Sequence, residues 1–410
     1  MKRRIFYISL AAAAVVYGCS DPGKGDPYAG RLHLLNIQNV YPDGYGGYLR
    51  EGVVVNIEDV DNGYSYRALT DASGKAGIYL TNGIYRVMIS DKADGNIFNG
   101  TADKVRLVDT DIDLALSLVR SKAGSIVIKE IYCGGCTKYP QEGNYQSDKY
   151  IILHNNDSGV QYLDSLCFGT FDPYNSQGTN VWVTQDEETG ASVFPDFVPV
   201  VQAVWQFGGD GTTFPLQPGE DAVLVVCGAI DHAAQYPRSV NLNNEDYFVC
   251  YNNVYFWNTL YHPAPGDRIT PDRHLDVVIK TGQANAFTFS VYSPATVIFR
   301  AQGTKMQDYI LEEGNVFQKP GSTVDRIVKI PVDWVLDGVE IFYGGSSDNK
   351  KRISPKIDAG YVTQSALYDG RSLHRRADEE ASREAGYEIL EDTNNSSSDF
   401  YERDQQSLHD

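Results

Sequence analysis

Hydrophobic and polar positions alternate along much of this chain with a period of two, the spacing that puts successive side chains on opposite faces of a β-strand. From Arg31 the runs RLHLLNIQNV and REGVVVNIEDV both read as strands. The stretch TDASGKAGIYLTNGIYRVMISDK, 70–92, predicts a tight turn at Asp71-Ala72-Ser73-Gly74 and a strand over 76–80. A second turn at Asn82-Gly83 then leads into a strand over 84–90. DTDIDLALSL, 109–118, alternates again and reads as the last strand of this unit. The pattern breaks at Arg120-Ser121-Lys122-Ala123-Gly124, which predicts a boundary.

Beyond it the alternation resumes. Ile126, Ile128 and Glu130 share one strand face, and Val127, Lys129 and Ile131 the other. Tyr150 to His154 form a second strand, 155–159 (NNDSG) a turn, and 162–168 a third strand. The reading is all-β: a first sandwich over 30–120 and a larger β domain over 124–410. A minimal sandwich needs about 100 residues, so the second unit carries long insertions. The surplus lies mainly at 169–272, with irregular chain at 302–329. Segments of that length are seldom structureless without a purpose, which makes them the expected place for a binding surface.

Composition supports this picture. The chain has 410 residues, 42% hydrophobic and 22% charged, which are globular values. It holds 28 Tyr, 38 Gly and 17 Pro but only 3 Met, a bias toward pleated surfaces and turns. Net charge is −19. Such a surface repels polyanions, so nucleic-acid binding is dismissed.

The chain opens MKRRIFYISLAAAAVVYGCSDPGKGDP. A basic start (Lys2, Arg3, Arg4) precedes an apolar run, 5–16, too short to span a bilayer as a mature helix. It ends in Val16-Tyr17-Gly18-Cys19, which resembles the lipobox of bacterial lipoproteins, although Tyr17 departs from the usual small residue. The resemblance implies a signal peptide over 1–18, acylation of Cys19, and a Gly/Pro/Asp tether over 19–29. Removing the leader takes away three cations and no acid, moving the net charge from −19 to −22. An outer-membrane lipid anchor is expected, with the periplasmic or cell-surface face left open.

Two further resemblances concern fold. The order T-D-x-x-G followed by G-x-Y-x-V around Gly83 and Tyr85 resembles the carboxypeptidase regulatory-like (prealbumin-like) β-sandwich, a non-catalytic module, and implies that these two residues sit at a hairpin entering a sandwich edge. KYIILHNNDSG with its flanking strands resembles the opening of the lamin-tail, immunoglobulin-like fold as found in DUF4876 lipoproteins of Bacteroidota. FPLQPGE (214–220), DWVLDGVE (333–340), KRISPKIDAGYV (351–362), DGRSLHRR (369–376) and LEDTNNSSSDF (390–400) agree with it. The resemblance spans 124–401. It implies fold and surface-lipoprotein status and supplies no activity. Lipoproteins of this build resemble partners of TonB-dependent outer-membrane transporters, so ligand capture or docking is the expectation, with a structural or adhesive role the alternative and an unrecognised enzyme third.

The chemistry in the sequence is sparse. Ser347-Asp348-Asn349-Lys350 and Lys280-Thr281-Gly282 match fragments of serine β-lactam enzymes in the wrong chain order. No catalytic residue and no metal ligand set is assigned, and no cofactor is expected. Acidic stretches at 58–63, 109–113 and 392–399 would suit a structural calcium ion, yet none completes an EF-hand spacing, and the same residues serve turns. Aromatic enrichment is the best hint of binding. Trp182, Trp205, Tyr251, Tyr255, Trp257 and Tyr261 lie in the long insertion, as a platform for a glycan or metal chelate, as a protein interface, or as core. Cys133 and Cys136 bracket two glycines at a strand end with no helix following, so an activated redox pair is not expected. A local disulfide is expected there instead.

Overall fold

The computed structural model describes residues 30–93, 96–186 and 192–409. The leader, Cys19 and the tether therefore lie outside the described residues. Strands dominate, and the described helices are short: Met306–Tyr309, Glu379–Ala385, Ser396–Asp399 and a few single 3-10 turns.

The first part of the chain forms two facing sheets. In one, Leu32–Val40 lies between Lys75–Thr81, antiparallel, and Ile112–Ser117, parallel. The other orders Ser65–Leu69, Val54–Asp59, Gly83–Ala93, Asn96–Leu107 and Val119–Ser121. Alternation dictates the core: Leu35, Ile37 and Leu114 from the first sheet meet Val55, Ile57, Val87 and Phe98 from the second. The predicted turn at 71–74 is present, with Asp71 Oδ1 accepting from Ser73 N at 2.8 Å and Lys75 N at 3.1 Å. Asn82-Gly83 behaves differently from a hairpin, because the strands on either side of it belong to different sheets. The chain crosses the sandwich there. Tyr85 is fully buried and donates to the Thr81 carbonyl at 2.8 Å, tying the crossing together.

The second part is built on two larger sheets. One has six strands, in the order Phe248–Val249, Asp221–Val225, Tyr150–Asn155, Ile126–Tyr132, Ser372–Arg375 and Phe400–Arg403. The other has eight and is centred on Phe197–Gln206, Cys167–Phe171, Ala295–Phe299 and Val335–Tyr343. Ile128, Ile151 and Leu153 pack across onto Phe168, Trp205, Ile298 and Val339.

The outer faces are covered as well. Tyr150 and Ile152, on the other side of the same strand, lie under Val240, Leu242 and Ile269 from the 228–270 segment. Val200, Phe299 and Val328 of the eight-stranded sheet are covered by Met306, Ile353 and Ile357. Central strands thus read as continuous apolar runs, as in YIIL, because both faces are buried. Much of the surplus chain forms strands or roofs a sheet.

The two parts touch through named polar contacts. Asn99 Nδ2 donates to the Thr393 carbonyl at 2.9 Å, and Thr101 Oγ1 to the Ala359 carbonyl at 2.5 Å. Arg86, buried, bridges Glu58 at 3.0 Å and Asp103, and its guanidinium lies 5.0 Å from the Tyr361 ring centre and 5.2 Å from that of Phe342. The Tyr361 hydroxyl donates to Glu58.

Candidate functional site

The six aromatics of the long insertion divide sharply by environment. Trp205 is fully buried between the two large sheets, stacked on Phe256 with ring centres 5.6 Å apart. Trp182 is part-buried: it meets Phe197 and Phe317 edge-on and donates its indole N–H to Asp172 at 2.8 Å. Tyr251 is half-buried and stacks on His262 at 5.3 Å. These three of the six expected binding aromatics are thus packed into the structure. Large rings fill a wide sandwich core efficiently, which the sequence pattern alone does not distinguish from display.

The other three are displayed together. Tyr255, Trp257 and Tyr261 are solvent-exposed on one loop with Val254 and Leu260, which are 78% and 73% exposed; Trp257 is 64% exposed. The loop is nonetheless held firmly. Phe256, fully buried, plugs into the core against Trp205 and Phe287. Asn252 Oδ1 accepts from the amides of Val254 and Tyr255 at 3.0 Å each. His262 Nε2 accepts from Asn252 N at 3.2 Å, closing the loop base. Burial holds that imidazole down at about 4, so it stays neutral and able to accept. Lys280 donates to the Tyr255 carbonyl at 3.1 Å. The loop thus displays five apolar side chains from an anchored base.

The cysteine turn takes a form the sequence did not anticipate. The expected disulfide is not formed: Cys133 and Cys136 are free, buried thiols with separate partners. Cys133 Sγ donates to Gln364 Oε1 at 3.2 Å, and Cys136 Sγ to Asp148 Oδ2 at 3.7 Å. The glycines serve close approach. Gly135 has φ +73°, and a Cβ there would stand 2.1 Å from the Tyr145 carbonyl; one on Gly134 would meet Gln364 Oε1 at 2.7 Å. Their carbonyls accept from Tyr368 N and Gly370 N, docking the 368–370 turn. Burial pushes both thiols up to about 12, which makes them poor nucleophiles.

His154, Asp221 and Glu388 converge in a way that could suit a metal. The Lys129 ammonium already bridges the two carboxylates, at 2.7 Å and 2.5 Å, and His154 Nδ1 bonds Asp221 Oδ1 at 2.6 Å. The acidic stretches are likewise turned to protein donors. Asp59 Oδ1 accepts from the amides of Asp61 and Asn62, and Asp392 and Asp399 face Arg375.

Arg375, buried, is the hub of the closing segment. It reaches Asp337 at 2.5 Å, Asp392 at 3.3 Å and Asp399 at 3.5 Å. Asp399 also accepts from Thr393 N and Oγ1, which folds LEDTNNSSSDF back onto the guanidinium. The closing motif is therefore an ion-pair knot.

Comparison with known proteins fits this geometry. Residues 217–407, which include the exposed loop and the knot, match the model of DUF4876, a family of unknown function. That span is similar to DUF4876. A solved DUF4876 family protein from Bacteroides thetaiotaomicron is similar over 90% of this chain and 94% of its own, with 24% identity and a TM-score of 0.56, a likeness of fold. A DUF3823 family protein from Parabacteroides merdae is more distant, at 10% identity and a TM-score of 0.16 over 43% of this chain and 82% of its own. No curated protein matches. The matched span supplies the roof of the six-stranded sheet, the displayed loop and the final strands of both large sheets.

Proposed function

We propose that this is a non-catalytic envelope protein, held at the outer membrane by a lipid on Cys19, that serves a TonB-dependent outer-membrane transporter as a ligand-capture or docking accessory. The supporting observation is the loop carrying Val254, Tyr255, Trp257, Leu260 and Tyr261, which displays apolar side chains from a base locked by Phe256 and His262. A rigid, pre-formed aromatic platform loses little entropy on contact, as a docking surface requires. The inert thiols and the acids committed to protein donors suit a non-catalytic role. The test is purification of the acylated protein from its native membrane. A TonB-dependent barrel identified by mass spectrometry in stoichiometric amount supports the reading, and its absence counts against it.

A structural or adhesive role is the second reading. It is favoured by the contacts that cross between the two parts, Arg86 against the Tyr361 and Phe342 rings and the Tyr361 hydroxyl on Glu58. Deletion separates the two: loss of nutrient uptake points to the first, loss of attachment to the second.

A further inference from the structure

One cavity combines features the rest of the surface lacks. It has a volume of about 260 Å³ and is lined by Lys149, Cys227 and Ser290 with Tyr174, Tyr261 and Tyr292. The three tyrosines are exposed, whereas Lys149 is 1% exposed and so lies at the floor. Tyr261 also belongs to the displayed loop, so the cavity opens beside it.

Lys149 is the unusual member. Its ammonium donates to the Phe289 carbonyl at 2.5 Å and to Thr288 Oγ1 at 3.2 Å. Among the described residues no carboxylate lies within ion-pair distance of it. Asp148, its neighbour in sequence, turns to Tyr132, Cys136 and Ser239 instead. The titratable groups facing Lys149 are Asp148 and the thiols of Cys133 and Cys227. Burial pushes those thiols up to about 12 and about 11, so they stay neutral, and the Asp148 carboxylate acts on the ammonium only from beyond ion-pair contact. A buried cation with no carboxylate in direct contact is costly, and an anionic ligand group reaching it would offset that cost.

We propose that this cavity binds a single acidic sugar, a hexuronate, with its carboxylate on the Lys149 ammonium and its ring face against the tyrosines. Aromatic faces take the apolar C–H face of a sugar, Asn175, whose Oδ1 already accepts from the Ser290 hydroxyl, lines the cavity as an amide partner, and the buried ammonium selects for the carboxylate. The volume sits just below the usual small-molecule range, which starts at about 300 Å³, and therefore suits one ring rather than an oligomer. The proposal rests on the ligand-capture form of the function above. It is tested without the membrane or the transporter, so its failure leaves docking untouched.

The experiment is calorimetric titration of the mature chain, kept soluble by Cys19→Ser, with galacturonate and glucuronate against galactose and glucose. A uronate is expected to bind at least about tenfold tighter than its neutral counterpart, the share a buried charge-assisted bond contributes. Lys149→Met should remove that preference with the fold intact by circular dichroism. Tyr261→Ala, at an exposed ring, should weaken uronate binding without disturbing the fold. Burial lowers the Lys149 amine to about 8, so uronate affinity should fall between pH 7 and pH 9.5 as its proton is lost. Equal affinity for neutral and acidic sugars, no binding of either uronate, or a Lys149→Met variant that binds uronate as well as wild type would each overturn the assignment.

Discussion

The guanidinium of Arg375 donates to Asp337 Oδ2 at 2.5 Å, with both side chains almost fully buried and two more carboxylates, Asp392 and Asp399, close by. Three acids against one base cannot all ionise comfortably in a dry site. Burial raises the carboxyls of Asp337 and Asp399 to about 7 despite the cation. The folded protein therefore binds more protons here than the unfolded chain between about pH 4 and pH 7, and stability from this knot falls as pH rises through that window. Asp399→Asn should flatten that part of the Tm-against-pH curve. Arg375→Met, which leaves the acids unpaired, should cost about 3–5 kcal/mol in chemical denaturation.

His262 works in the opposite direction. Its folded-state pKa is depressed to about 4 by burial, so the unfolded or opened loop binds the proton more readily. Stability from this group is lost as pH falls from about 6.5 toward 4. Hydrogen exchange at the Asn252 amide, which donates to His262 Nε2, should accelerate over that range while core strands such as Tyr150–Asn155 stay protected.

The five cysteines of the described chain are all free and buried. Iodoacetamide at pH 8 should leave them unmodified in the native protein and label all five after unfolding in urea. Gly135→Ala should destabilise strongly, by about 2 kcal/mol or more, since it combines positive φ with a carbonyl collision. A Cys133–Cys136 disulfide found by mass spectrometry would refute this description of the turn.

Two tryptophans should separate cleanly. Trp205→Ala opens a cavity between the large sheets and should cost about 3–5 kcal/mol. Trp257→Ala, at a 64% exposed side chain, should change stability by no more than about 0.5 kcal/mol. Its effect should appear in partner binding alone.

Much of the fold was legible because alternation fixes which side chains face inward. Leu35 and Ile37, and Ile126 and Ile128, fall in the cores where that pattern puts them. The crossing at Asn82-Gly83 was not legible, since a two-residue turn signal cannot tell a hairpin from a step between sheets. The cysteine turn was read by spacing, but its glycines answer to a close approach of the Tyr145 carbonyl on the returning strand and of Gln364 from far along the chain. The aromatic segment announced itself by composition. Only burial, set by Phe256 entering the core, separates Trp205 and Tyr251 from Tyr255, Trp257 and Tyr261. Lys149 carried no signal at all, because a lysine before a strand looks solvated until the distant 288–292 segment closes over it.

The most direct test of the proposed role is a photo-crosslinking amino acid placed at position 257 in the acylated protein in its own membrane, with position 139 as an exposed control. The account predicts an adduct with a TonB-dependent outer-membrane barrel at 257 and none at 139. A barrel adduct at 139 but not at 257, or no adduct at 257 under conditions where the protein is membrane-bound, would contradict it.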